Sequence, residues 1–292
     1  MENRTRSFIE NQFRNTRPST VKFKLEGHTD EINVLEILEN DELASGSKDK
    51  TIIIWDLKTN RMKYKLQSSG VIYSLVKLDN DELASGSNNL IIIWDLKTQS
   101  IKYTLEGHTD CVRALVVLKE GTLISGSNDE TIIFWDLKSK SILSKLKDNL
   151  SRVSSLVVLE NDELACTIYK KILILDLVKR SLKYKLEGHS DVVYTLKQLG
   201  NQELASGSYN EILIWDLKNK SIKCKLEAQI NWVRSLELLG NGELVSGSNK
   251  IITIWDLKTK SICHKLDGHK DWIYALKLLL NDFYYLYLRY RY

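Results

Sequence analysis

The chain has 292 residues, 43% hydrophobic and 27% charged. That is an ordinary globular composition with ample material for a core, not the depleted make-up of a disordered chain. Its 42 basic and 38 acidic residues leave a net charge of +4, too balanced to call for a nucleic-acid or membrane partner. Met1 to Pro18 is polar and carries Arg4, Arg6, Arg14 and Arg17. It lacks the apolar segment of a secretory signal, and residues 1–20 are expected to form a flexible arm. No apolar run reaches the length of a membrane span.

From Val21 to Leu25 the chain reads as one short strand. Beyond it the same pattern recurs. In the third copy the pieces are Ile101–Leu105, the polar stretch Glu106 to Asp110, Val112–Leu118, Leu123–Ser127 and Ile132–Asp136. Each piece is short and rich in Val, Ile and Leu, and polar turns divide them, which predicts an antiparallel meander of four strands. Trp55-Asp56, Trp94-Asp95, Trp135-Asp136, Trp215-Asp216 and Trp255-Asp256 mark the repeat, and Leu175-Asp176 occupies the same grid with its Trp lost. The spacing is about 40 residues, the period of a β-propeller blade. One meander cannot bury both of its faces, so the copies must stack.

Innermost strands are expected at Ile32–Leu38, Ile72–Leu78, Val112–Leu118, Val153–Leu159, Val193–Leu199, Val233–Leu239 and Ile273–Leu279. The fold class is therefore all-β, a propeller of seven blades in a single domain spanning 21–292. Val21–Leu25 mirrors Leu182–Leu186 and is expected to complete the unfinished seventh blade as its outermost strand. From residue 281 the repeat breaks, and Phe283 to Tyr292 is aromatic where Ser-Gly-Ser and Trp-Asp should follow. Phe283–Leu288 is expected to remain a strand on the propensity of its aromatics. A truncated or frameshifted reading frame is the alternative.

Lysines on the outer strands, such as Lys63, Lys102, Lys183 and Lys223, fit the blunting of an exposed sheet edge better than a nucleic-acid groove. The turns between first and second strands are acidic, as in Glu39-Asn40-Asp41-Glu42. Cys111, Cys166, Cys224 and Cys263 fall in different copies with no C-x-x-C pair. They are expected to be reduced thiols in a cytoplasmic or nuclear protein.

Gly27-His28, Gly107-His108, Gly188-His189 and Gly268-His269, the Ser45-Gly46-Ser47 element with its five relatives, and the Trp-Asp pairs together make the chain resemble WD40-repeat proteins over residues 21–279. The resemblance implies structural hydrogen-bonded tetrads: His28, Ser45, Asp49 and Trp55 in the first blade, and His108, Ser125, Asp129 and Trp135 in the third. The fifth blade keeps His189, Ser206 and Trp215 but has Tyr209-Asn210 near the carboxylate position. Blades two, four and six lack Gly-His, and the fourth, with Ala165-Cys166-Thr167 and Leu175, is expected to be the loosest. His, Ser and Asp also invite a hydrolase reading. Here the chain of groups ends on a Trp, recurs, and lacks a strained nucleophile turn. No catalytic residue, metal ligand or cofactor is expected.

Two columns flank the apolar anchors of the innermost strands. One reads Glu31, Val71, Cys111, Arg152, Val192, Trp232, Trp272; the other reads Asn33, Tyr73, Arg113, Ser154, Tyr194, Arg234, Tyr274. A core position would be uniformly apolar. These vary and favour Trp, Tyr and Arg, the composition of interface hot spots. Tyr73, Arg113, Tyr194, Tyr209, Trp232, Arg234, Trp272 and Tyr274 are the candidate partner-binding residues, on the face opposite the acidic turns. The resemblance implies a non-enzymatic scaffold for protein or peptide partners, with no nucleic acid, membrane or small-molecule substrate. Its alternatives are the substrate-recognition propeller of a ubiquitin-ligase or other regulatory complex, and a degenerate copy without a selected partner.

Overall fold

The third strand of each repeat is mostly apolar and the second is built of small and apolar residues, and both are buried on both faces. In the first unit Leu43–Ser47 and Thr51–Trp55 are buried throughout, whereas the outermost strand, Arg61–Gln67, exposes most of its residues and buries Leu66. The computed structural model describes residues 25–147, 151–200, 202–267 and 272–278, with the backbone of 285–286. The expected arm 1–20, Val21 to Lys24 of the first strand, and most of the aromatic tail lie outside the described residues.

The chain is all-β, and no helix occurs among the described residues. Unit one is Ile32–Ile37, Glu42–Ser47, Thr51–Asp56 and Arg61–Gln67, paired antiparallel in that order. Unit two is Ser74–Lys77, Glu82–Gly86, Leu90–Asp95 and Ser100–Glu106. Unit three is Val112–Val117, Thr122–Ser127, Ile132–Asp136 and Ser141–Leu146. Unit four is Leu156–Leu159, Glu163–Ile168, Lys171–Asp176 and Ser181–Glu187. Units five and six share the long strand Ser221–Leu238, which is outermost in one and innermost in the other. Thr195–Gly200, Glu203–Gly207 and Tyr209–Asp216 complete unit five, and Leu244–Ser248, Ile251–Asp256 and Ser261–Leu266 complete unit six. Last come Lys277–Leu278, paired with Tyr285–Leu286. Within the expected strand Phe283–Leu288, those two residues are the described part.

Turn chemistry fixes the register. Asn40-Asp41, Asn80-Asp81 and Asn161-Asp162 all have positive φ near 60°, the conformation that matches a two-residue hairpin to the strand twist and that Asn and Asp tolerate. In unit three Gly121, at φ 86°, does the turning instead. The Leu57 amide donates to the Asp41 carbonyl at 2.9 Å. The acidic turns and the Asp-Leu-Lys turns thus share one face.

The core lies between units, not within them. Leu38, Ala44, Ile52, Ile54 and Leu66 of unit one interlock with Ile72, Leu75, Leu83, Ile92 and Trp94 of unit two. Equivalent clusters join each following pair. A further cluster holds Leu25, Ile32, Leu35, Leu43, Ile53 and Trp55, with Ala275 of the last unit packed on it. Lys277 Nζ donates to Glu36 Oε2 at 2.6 Å across the same junction. The last innermost strand therefore neighbours the first, and the units form a ring.

Unit four departs from the expected boundaries: its innermost strand begins at Leu156, not Val153. Thr167 occupies the site of the glycine in Ser-Gly-Ser, and its hydroxyl accepts the Ser154 and Ser155 amides at 3.1 and 2.9 Å. Those amides are satisfied by a side chain instead of a strand ladder.

Candidate functional site at the channel mouth

The histidine networks anchor the connecting loops on the face opposite the acidic turns. In unit one His28 Nε2 and Ser45 Oγ are 2.7 Å apart, His28 Nδ1 and Asp49 Oδ2 2.9 Å, and the Trp55 indole donates to Ser45 Oγ at 2.8 Å. In unit three the corresponding distances are 2.7 Å for His108–Ser125, 2.8 Å for His108–Asp129 and 2.8 Å for Trp135–Ser125. Since the indole N–H can only donate, the serine hydroxyl accepts it and donates onward to Nε2. The imidazole then gives its Nδ1 proton to the carboxylate. Thr51 and Thr131 add a hydroxyl donated to the same carboxylates at 2.5 and 2.6 Å.

Unit five corrects the expectation that its network lacks an acid. Glu211 Oε1 lies 2.9 Å from His189 Nδ1, with His189–Ser206 at 2.6 Å and Trp215–Ser206 at 2.7 Å. Ile212 pairs with Gly207 as Ile52 pairs with Gly46. Glu211 therefore holds the register position of Thr51, in a turn one residue shorter than that of unit one. Its extra methylene carries the carboxylate back to the histidine. The sequence signal was the acid immediately before Ile212, where unit one has Thr51 before Ile52.

Burial and bonding oppose each other at these acids. Burial disfavours the Asp49 charge, but hydrogen bonds from His28, Thr51 and the Thr29 amide outweigh it and hold the carboxyl below its usual range. Asp129 is lowered likewise, against burial, by Thr131, the Thr109 amide and His108. Glu211 is lowered, against burial, by the Ser190 amide, His189 and Lys225. Burial depresses His108 and His189 despite their acid partners, so both imidazoles are neutral at pH 7. These groups are locked among themselves, which makes them framework. Among the described residues no cluster of three or more His, Cys, Asp or Glu is placed to hold a metal ion.

That framework presents the two flanking columns. The Arg113 guanidinium lies over the Tyr73 ring at 4.0 Å, with Nε donating to Asn128 Oδ1 at 3.3 Å. Arg234 lies over Tyr194 at 4.0 Å and within 5.8 Å of the Trp232 and Tyr274 rings. Trp232 stacks tilted on Trp272 at 5.3 Å and on Tyr209 at 5.7 Å. The long shared strand sets this up, because Tyr209 and Trp232 are paired across it. The eight candidate residues thus fall into two groups: Tyr73 with Arg113, and Tyr194, Tyr209, Trp232, Arg234, Trp272 and Tyr274 together. Tyr209 is the most open of these, at 39% exposure. Arg152, in the same column as Cys111 and Trp232, stands just before the innermost strand of unit four. Its guanidinium is held below its ordinary range by burial, then by Arg113 and by Arg234.

The description WD40, "WD domain, G-beta repeat", matches residues 19–56 and 99–136, which cover parts of two repeats. A WD repeat-containing protein 89 homolog of Dictyostelium discoideum is 38% identical over 74 residues, 25% of this chain and 20% of that protein. The small ribosomal subunit protein RACK1y of Oryza sativa subsp. japonica is 41% identical over 56 residues, 19% of this chain and 17% of that protein. The chain thus matches about a fifth of the length of each relative. These matches fall on a chain that, among the described residues, repeats one four-stranded unit six times and carries a hydroxyl-bound Trp in five of them; the chain carries WD40 repeats.

Proposed function

We propose that this protein is a non-enzymatic scaffold that binds a protein or peptide partner through the channel-mouth face, in the cytoplasm or nucleus. WD40-repeat proteins generally act as protein-interaction scaffolds. The observation that carries the reading to this face is the aromatic stack Tyr209–Trp232–Trp272 beside Arg234. Rigid aromatics beside an arginine are what interface hot spots are made of. The opposite face offers paired charges instead: Lys97 to Asp81 at 2.8 Å, Lys77 to Glu39 at 2.6 Å, and Lys63 to Glu42. Exposed pairs of that kind contribute little to binding.

The test is capture from native lysate with the wild type and with Trp232→Ala/Trp272→Ala, after both are shown to melt alike. The expected result is a partner retained by the wild type and lost, at least ten-fold, by the variant. A partner held equally by both places binding elsewhere.

A further inference from the structure

The cleft between units one and two, on the face of the acidic turns, is filled by paired charges and a tyrosine. Lys63, Tyr64, Lys77 and Lys97 line it, and the three lysines are bound to Glu42, Glu39 and Asp81. The Tyr64 hydroxyl donates to the Leu96 carbonyl, in the turn of unit two, at 3.1 Å. Tyr103 donates in the same way to Leu137 at 3.4 Å, and Tyr184 to Leu217 at 3.4 Å. In two of these junctions a cation of the receiving turn lies over the ring, Lys140 over Tyr103 at 4.6 Å and Lys220 over Tyr184 at 4.7 Å. A tyrosine of the outermost strand thus plugs three junctions, with its hydroxyl on a leucine carbonyl and, in two, its ring face against a cation.

Between units three and four the plug is missing. The strand register puts Ser144 at the place of Tyr64 and Leu143 at that of Lys63, with Thr122 in place of Glu42. Val158 stands for Lys77 and Val178 for Lys97, so none of the three ion pairs is repeated. Leu143 is 41% exposed and Val178 79%, the most open of the large hydrophobic side chains described. The tyrosine's two polar contacts, in contrast, are kept. The Leu177 carbonyl accepts from no side chain among the described residues. Arg180 holds the place of Lys140 and Lys220 in the turn, and its guanidinium lies over the Phe134 ring at 5.7 Å. Phe134 pairs with Ser144, so the cation faces the place that a tyrosine would take. Between units five and six Cys224 also replaces the tyrosine, but there Lys223 still binds Glu203 and Lys258 remains in the turn. Loss of the ring together with its charged surroundings is thus particular to the junction of units three and four.

We infer that the cleft between units three and four is a docking site for a tyrosine side chain presented by a partner protein. Its charge complementarity is that of a phenol. The hydroxyl proton meets the Leu177 carbonyl, the negative face of the ring meets Arg180, and the ring edge is covered by Leu143, Val158 and Val178. The site lies on the face opposite the Trp232–Trp272 surface, so it stands or falls separately from the proposed scaffold role.

Titration of the full, nitrogen-15-labelled chain followed by amide NMR shifts tests it with two probes, the N-acetyl amides of Gly-Tyr-Gly and Gly-Phe-Gly. Saturable shifts of the Ser144 and Val178 amides are expected with the tyrosine peptide. The phenylalanine peptide should bind about five-fold more weakly, for want of one hydrogen bond. Ser144→Tyr supplies the ring from within, and Val178→Lys restores the charge at an open position where folding is not at stake. Each should weaken binding about ten-fold, whereas Trp232→Ala/Trp272→Ala should leave it unchanged. Absence of saturable shifts at these amides, equal binding of the phenylalanine peptide, or undiminished binding by Val178→Lys overturns the proposal. Loss of binding in the double tryptophan variant moves the peptide to the other face and overturns it too. Self-association of the chain that Ser144→Tyr abolishes makes the occupant a second copy and overturns the assignment to a partner protein.

Discussion

In unit three the buried side chain at the end of the third strand is Trp135, and its indole donates to Ser125. One unit further on, the same position is Leu175, and the hydroxyl opposite it has become Cys166. Both members of the pair changed together. A lone Leu175 would have left a buried hydroxyl without its donor, and a lone Cys166 would have left a buried indole without its acceptor. Replacing both by apolar groups of suitable shape is nearly neutral. Cys166 is fully buried, and burial pushes its thiol up to about 12, so it behaves as a small apolar group. All four strands of unit four pair, and its core joins that of unit three through Phe134, Val153, Leu156 and Leu175. The contrast teaches that the ring needs filled junctions, whereas the polar network is one of two ways to fill them.

The comparison breaks most severely at the Trp itself. Trp135→Ala is expected to cost about 3–5 kcal/mol by denaturant unfolding, since it opens a cavity and removes the donor to Ser125. Leu175→Ala should cost less, because its loss leaves no polar group stranded; an equal or greater cost would sink the distinction. Next comes the hydroxyl. Ser125→Ala strands both the indole and the imidazole and is expected to cost about 1–3 kcal/mol, with Cys166→Ala costing under about 1 kcal/mol. Glu211→Asp sharpens the comparison within the networks. It shortens the reach to His189 and should cost about 1 kcal/mol, whereas Asp129→Glu in the longer turn of unit three gains no such contact.

Acidity probes all the networks at once. His108 and His189 bind protons less readily folded than unfolded, so their contribution is complete above about pH 6.5 and declines as pH falls below it. Asp129 and Glu211 are also depressed, so their contribution is present above about pH 4 and is lost on further acidification. Denaturant midpoints should fall from pH 7 towards pH 5, and His108→Gln/His189→Gln should flatten that limb while leaving the steeper fall below pH 4. The smallest effect is at the rim: Lys102→Gln, which breaks an exposed pair with Glu82, should leave the midpoint where it is.

Much of this was legible in the chain because the repeat is a physical period. Trp-Asp at about 40 residues, with strands of two-residue alternation, permits few solutions other than stacked meanders. The flanking columns stood out because a buried position in a repeat is uniform and theirs varies, and the grouping of their side chains into two clusters came only with the fold. Glu211 was missed because alignment by residue type looks for Asp in a turn of fixed length, whereas here a longer side chain on a shorter turn reaches the same point. The start of unit four's innermost strand was missed because Thr167 takes over backbone donors, a choice that strand propensity does not encode. The continuous strand from Ser221 to Leu238 was also unforeseen, since its polar middle reads as a loop.

Lys277 and Glu36 are separated by 241 positions in the chain and joined by one hydrogen bond. Their contact joins the last innermost strand to the first, the longest-range pairing of the ring. Hairpins within units assemble from local contacts and are fast, while a contact between the two ends of the chain is slow. The seam is therefore expected to be the last part of the molecule to form and the first to part. The first five junctions are flanked by two four-stranded units, whereas at the seam the described contacts are Leu25 and Ala275 on the core of unit one and that ion pair. Limited proteolysis that cuts first beside Lys277 and Glu36 is the expected sign of that seam opening ahead of the blades.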